Sequence, residues 1–201
     1  MKKFYIIIFF ILFSFIILSS CEKSEKEKSG IVDNSSFSSA GLSYYNNGKY
    51  SIGIPASWEK INNADNLLPK PNFGEIEAAF TSKDFAGGFS NNLLILSQDA
   101  LKGVSSKDFA IGSNAGSPND YLYYKKMFSK DITFLDDIES ILFVFKARYN
   151  EVTPKLIFLQ TSHVCNKKVY FMTLALPTSI TDTTKYEKIL ETFSCVNSDK
   201  S

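Results

Sequence analysis

The chain has 201 residues, room for one domain of ordinary size once any export signal is set aside. Its 22 basic and 21 acidic side chains leave a formal charge of +1, which excludes the concentrated basic face that nucleic-acid binding requires. Eighteen Phe and ten Tyr suit a well-filled β-rich core, while a single histidine is poor material for an imidazole-based active site.

In chain order, Lys2 and Lys3 precede an apolar run from Phe4 to Leu18 that only Ser14 interrupts, and Leu18-Ser19-Ser20-Cys21 closes it. A basic start, an apolar core and small residues before a cleavage point describe a signal peptide, residues 1–20. The competing reading, an uncleaved spanning helix, needs about 20 apolar residues. The four closing residues resemble the lipobox of bacterial lipoproteins. That resemblance implies export, diacylglyceryl transfer to the Cys21 sulfur, cleavage before Cys21, and anchorage to a bacterial membrane in the cell envelope. Residues 21–43 then read as the lipidated cysteine and a disordered tether, since Glu22-Lys23-Ser24-Glu25-Lys26-Glu27-Lys28 and the serines beyond offer little apolar surface to repay ordering.

The domain is expected over residues 44–198. Tyr50 to Pro55 alternates in the strand period and Pro55 ends it, because proline cannot donate to a ladder. Trp58 follows, read as core. Ile76 to Phe80 and Asn92 to Leu96 form two further strands, the second apolar on both faces and so central. Phe85-Ala86-Gly87-Gly88-Phe89 between them reads as a hairpin loop whose phenylalanines fold back on the sheet, against an exposed aromatic loop for a partner. Ser106 is expected to cap a short turn through Phe109, which Gly112 to Gly116 interrupts. A second helix is expected to start at Ser117 and Pro118, with Tyr121, Tyr124 and Phe128 on one face.

Three strands follow, roughly 139–149, 154–164 and 168–176. In the first, Leu142 and Val144 share a face with Lys146 and Arg148, so one end of that face meets solvent. Thr184 and Glu187 are expected to form a capping box, and Tyr186, Ile189, Leu190 and Phe193 the buried face of a C-terminal helix. Consecutive strands joined by tight turns pair antiparallel, giving an α+β fold with helices on the faces of the sheet.

A strand running into Ile54-Pro55-x-x-Trp58, the strand order, and the final strand-plus-helix with its Tyr/Ile/Leu/Phe face together resemble the PsbP-like domains, from about Tyr44 to Ser194. The resemblance implies a PsbP-like α/β sandwich. Photosystem attachment is one branch of that family, and no residue here argues for a photosynthetic host. In such a topology the final helix runs antiparallel to the strand before it and brings Cys195 back toward the turn carrying Cys165. The two cysteines either bond or remain separate thiols.

Candidate chemistry is sparse. His163 reads as an exposed strand-end histidine, with no Gly-x-Ser-x-Gly elbow to give it a nucleophile. Asp136, Asp137 and Glu139 read as a solvated turn, not a calcium loop. No catalytic, metal or cofactor residue is assigned, and the chain is read as no enzyme. The expected function is a membrane-anchored interaction or assembly module of an envelope protein complex. The alternative is a tethered binding protein for a small apolar ligand, held between helix and sheet near Tyr121, Tyr124 and Phe128. A filled core there favours the first reading, and a cleft of several hundred Å³ the second.

Overall fold

The structure is a computed structural model that describes residues 41–63, 68, 70–86 and 88–196. The signal peptide, Cys21 and most of the tether, as well as residues 197 and 198, lie outside the described residues. The elements are β1 (Leu42–Asn46), β2 (Tyr50–Pro55), β3 (Trp58–Lys60), β4 (Glu75–Ala86), β5 (Phe89–Asp99) and α1 (Ser106–Asp120). They continue with β6 (Leu122–Thr133), β7 (Glu139–Arg148), β8 (Leu156–Cys165), β9 (Lys168–Pro177), α2 (Thr184–Glu191) and β10 (Ser194–Cys195).

The strands form two antiparallel sheets: a seven-stranded sheet in the order β3-β4-β5-β9-β8-β7-β6, and a small one in the order β1-β2-β10. The α+β architecture is thus the one expected. β8 and β9 are central and buried on both faces, which is why their sequences are apolar almost without alternation. Their two-residue turn places Asn166 and Lys167 at φ 47° and 65°, the paired left-handed geometry that suits the twist of a tight hairpin.

The alternate faces of the large sheet carry different cores. On one face, Leu142, Val144, Ile157, Leu159 and Met172 pack with Tyr50 and Ile52 of the small sheet and with Tyr186, Ile189, Leu190 and Phe193. Tyr186, Ile189 and Leu190 of the expected C-terminal helix face are therefore buried. Phe193 is buried with them but follows the helix, which ends at Glu191, and half-buried Trp58 packs against the same core. On the other face, Phe145, Ala147, Leu156, Phe158 and Ala175 form a second cluster with Phe89, Tyr121 and Tyr124 beside it. Phe89 folds back on the sheet as expected, but Phe85 is 73% exposed.

Three local expectations are corrected. Tyr121, Tyr124 and Phe128 share no helix: the helix ends at Asp120, and Leu122 to Thr133 is the edge strand β6, paired with β7 through two register shifts. Those irregularities and the lysines on an edge strand mask the strand period. The helix begins earlier, because Ser105 rather than Ser106 or Ser117 caps it. Ser105 Oγ accepts from the Asp108 N–H at 3.0 Å and the Asp108 carboxylate accepts from the Ser105 N–H, a complete capping box. Ser106 instead accepts the Val164 N–H through its hydroxyl, tying the helix to β8. At α2, Thr184 is the first helical residue, not the cap. Its N–H is bound by Asp182, and Glu187 accepts from the Thr183 hydroxyl at 2.6 Å and pairs with Lys130 of β6.

Candidate functional site

An open cleft of about 470 Å³ lies between α1, the Pro71–Phe73 segment and the adjoining face of the large sheet. Its apolar walls are Phe73, Phe109, Phe171, Tyr121 and Tyr149, and its polar groups include Asn72, Gln98, Ser113, Ser117 and Gln160. The helix contributes Gly112 and Gly116, one turn apart on the same side. A Cβ at Gly112 would meet nothing within 4 Å, and one at Gly116 would meet only the Asp120 carboxylate at 3.7 Å. The two glycines therefore hold space open where ordinary helical residues would fill it.

Gln160 organises the floor. It is buried on β8, and its Nε2 donates to the Tyr121 hydroxyl at 3.0 Å and to Thr173 Oγ1 at 3.1 Å. Ser117 Oγ donates to its Oε1 at 3.4 Å. A buried amide with all these partners is fixed in orientation, since leaving it unpaired would cost about 1–3 kcal/mol. Burial pushes the Tyr121 phenol up to about 12, partly offset by the hydrogen bond from Gln160. The phenol therefore stays neutral at physiological pH. Of the aromatic residues expected around a ligand, only Tyr121 lines the cleft. Tyr124 packs against Phe145 with its ring tilted by 37°, and Phe128 lies on the edge strand, 38% exposed. Asp120 is the one charged residue in the lining, and no nucleophile with an adjacent base stands there among the described residues.

The second constellation lies on the opposite face, where β8 ends. Cys165 and Cys195 are joined by a disulfide, with Cα atoms 5.9 Å apart. His163, expected at the surface, is wholly buried. Its ring packs between Phe134 and Phe193, at centroid distances of 4.7 and 5.1 Å. These residues come from distant parts of the chain, which is why the strand-end position suggested exposure. His163 Nε2 lies 3.0 Å from Asp136 Oδ1, and Nδ1 lies 3.6 Å from Cys195 Sγ. The other Asp136 oxygen accepts the Cys195 N–H at 2.9 Å. Partial burial alone would raise the Asp136 carboxyl, but the hydrogen bonds from His163 and the Cys195 amide outweigh it and hold the group below its usual range. Asp136 is thus a structural acceptor as well as a turn residue. The sequence signals for these two places were a Gly-x-x-x-Gly spacing behind a capping box and a His-x-Cys pair at a strand end.

No family model matches the chain, and no curated protein matches its sequence. Among solved structures, it is similar to the cyanobacterial PsbP (CyanoP) of Synechocystis sp. PCC 6803, at TM-score 0.53 and 14% identity. That match covers 89% of this chain and 99% of the other. It is also similar to a mutant of protein Mog1, at TM-score 0.50 and 8% identity, over 78% of this chain and 97% of that one. The Ran-binding protein Mog1p of Saccharomyces cerevisiae gives TM-score 0.47 and 6% identity, covering 74% and 90%. At these identities the likeness concerns the fold, which is PsbP-like.

Proposed function

We propose that this PsbP-like domain is a non-catalytic binding module held to a bacterial envelope membrane by lipid on Cys21, and that the cleft between α1 and the sheet is its binding region. The observation that carries this reading is the cleft itself. Its volume falls within the range of small-molecule sites, and apolar walls with a few fixed polar groups are the usual make-up of such sites. Five aromatic side chains offer flat apolar surface, while Gln98, Asn72 and Ser113 offer hydrogen bonds. The ligand class that fits is a small neutral molecule with an apolar or aromatic face and amide-like or hydroxyl groups along one edge.

The second reading, an assembly module for an envelope protein complex, is favoured by β6. As the end strand of the large sheet it has one edge unpaired among the described residues, and it exposes Tyr123, Met127 and Phe128. Edge strands are templates for pairing with another chain.

Native mass spectrometry on the full chain, gently extracted from its own membranes, separates the two. A monomer carrying a reproducible small mass supports the carrier. A stoichiometric protein complex without that mass supports assembly and overturns the carrier. The anchor is tested independently: Cys21→Ala is expected to abolish incorporation of radiolabelled palmitate, and undiminished labelling would refute lipidation at this residue.

A further inference from the structure

We infer that Cys165, Cys195 and His163 form a binding site for a thiophilic d10 metal ion of the zinc class, open when the two cysteines are reduced and closed when they are joined. Three observations carry it, none involving the cleft. First, the two sulfurs and a ring nitrogen of His163 all lie within 4.8 Å of one another. Bonds of about 2.3 Å to sulfur and about 2.0–2.1 Å to nitrogen at tetrahedral angles put a sulfur and a nitrogen ligand about 3.6 Å apart. Cys195 Sγ and His163 Nδ1 already stand at 3.6 Å.

Second, the imidazole is prepared for the role on its other side. Asp136 Oδ1 lies 3.0 Å from His163 Nε2, on the side of the ring away from the sulfurs, so in the neutral tautomer with its proton on Nε2 the Nδ1 lone pair faces the sulfurs. A carboxylate behind a histidine is the outer-shell arrangement that fixes the tautomer and raises the basicity of metal-bound imidazoles. The same carboxylate holds the Cys195 backbone through its N–H, so one group positions two of the three ligands. Third, the ring is immobilised between Phe134 and Phe193, so little freedom is lost on binding. Three protein ligands of the Cys₂His kind leave a fourth position for water.

The opening step balances as a two-electron exchange. A dithiol reductant attacks the half-buried Cys195 sulfur through its thiolate, and the S–S bond breaks with the electron pair leaving on Cys165. The reductant's second thiol then resolves the mixed disulfide, leaving two protein thiols and an oxidised reductant. Metal binding displaces the two thiol protons to solvent. The reverse exchange with an oxidised dithiol, a disulfide that takes up the two electrons, re-forms the Cys165–Cys195 bond, removes two of the three ligands and expels the ion.

The test uses the full chain in detergent, reduced with a phosphine and desalted without oxygen, then titrated with Co²⁺ and displaced with Zn²⁺. The expected result is one cobalt ion per chain with a thiolate charge-transfer band, its replacement by zinc, and no binding to oxidised protein. Asp136→Asn, which keeps size and polarity, is expected to lower zinc affinity by about 10–100-fold, with circular dichroism unchanged. Cys165→Ser is expected to lose stoichiometric binding. Any of three outcomes overturns the inference: a folded reduced chain with no thiolate band, a reduced chain that unfolds, or equal zinc binding by Cys165→Ser or by oxidised protein.

Discussion

Gly112 gives the sharpest test of the cleft. In a helix interior, glycine is less favourable than alanine by about 1 kcal/mol. Gly112 lies mid-helix in α1, and a Cβ there would enter open space. Gly112→Ala is therefore expected to stabilise the domain by about 1 kcal/mol, roughly 2–4 °C in Tm for a chain of this size. Gly112→Trp keeps part of that gain, since aromatic residues recover about half the propensity difference, and it places an indole in the space a ligand would occupy. The expected pair of results is a Tm equal to or above that of the parent by circular dichroism, and loss of the small bound mass in the native spectrum. A Tm several degrees lower for the alanine variant would show that the helix face is not open. A bound mass retained by a stable tryptophan variant would remove the cleft from the proposed function.

Gly74 tests the opposite geometry. It sits at φ 66°, and a Cβ would approach the Ser97 carbonyl oxygen to 2.6 Å. Gly74→Ala should cost about 1–2 kcal/mol from the left-handed backbone alone, with the collision against the paired strand β5 in addition; a Tm within a degree of the parent would contradict this. Phe193 is fully buried, stacked on Tyr50 at 4.9 Å and against the His163 ring. Phe193→Ala is expected to destabilise by about 3–5 kcal/mol in urea unfolding, and a loss below about 1 kcal/mol would mean that the face between the two sheets is not closed by this residue.

Much of the fold was legible from local pattern. β7, β8 and β9 announce themselves as apolar runs of strand length, because strands buried on both faces need no polar side. The spacing of Tyr186, Ile189 and Leu190 announces a helix laid on a core, because burying one side of a 3.6-residue period leaves that trace, while Phe193 joins the same core from just beyond the helix end. Other parts were decided by residues far away in the chain. Tyr121, Tyr124 and Phe128 fit a helical spacing, yet β7 offers β6 a ladder, and Tyr121 at the helix cap and Tyr124 on the strand then both reach Phe145. Pro118 looked like the start of a helix and stands in its last turn, because the Ser105–Asp108 box had already nucleated it.

The two candidate sites divide the same way. Cys165, Cys195 and His163 were visible as residue types, and the order of strand, turn and helix already brought the cysteines toward each other. That His163 is buried and backed by Asp136 follows only from Phe134 and Phe193 closing over the end of β8. The cleft exists because α1 packs on the sheet through Ala110 and Ser117, with Gly112 and Gly116 beside them on the open side. A sequence determines which segments are apolar and with what period, since those are local properties of side chains. Which surfaces meet, and where they leave a gap, depends on how all the segments share one core, and here the tertiary structure alone decided it.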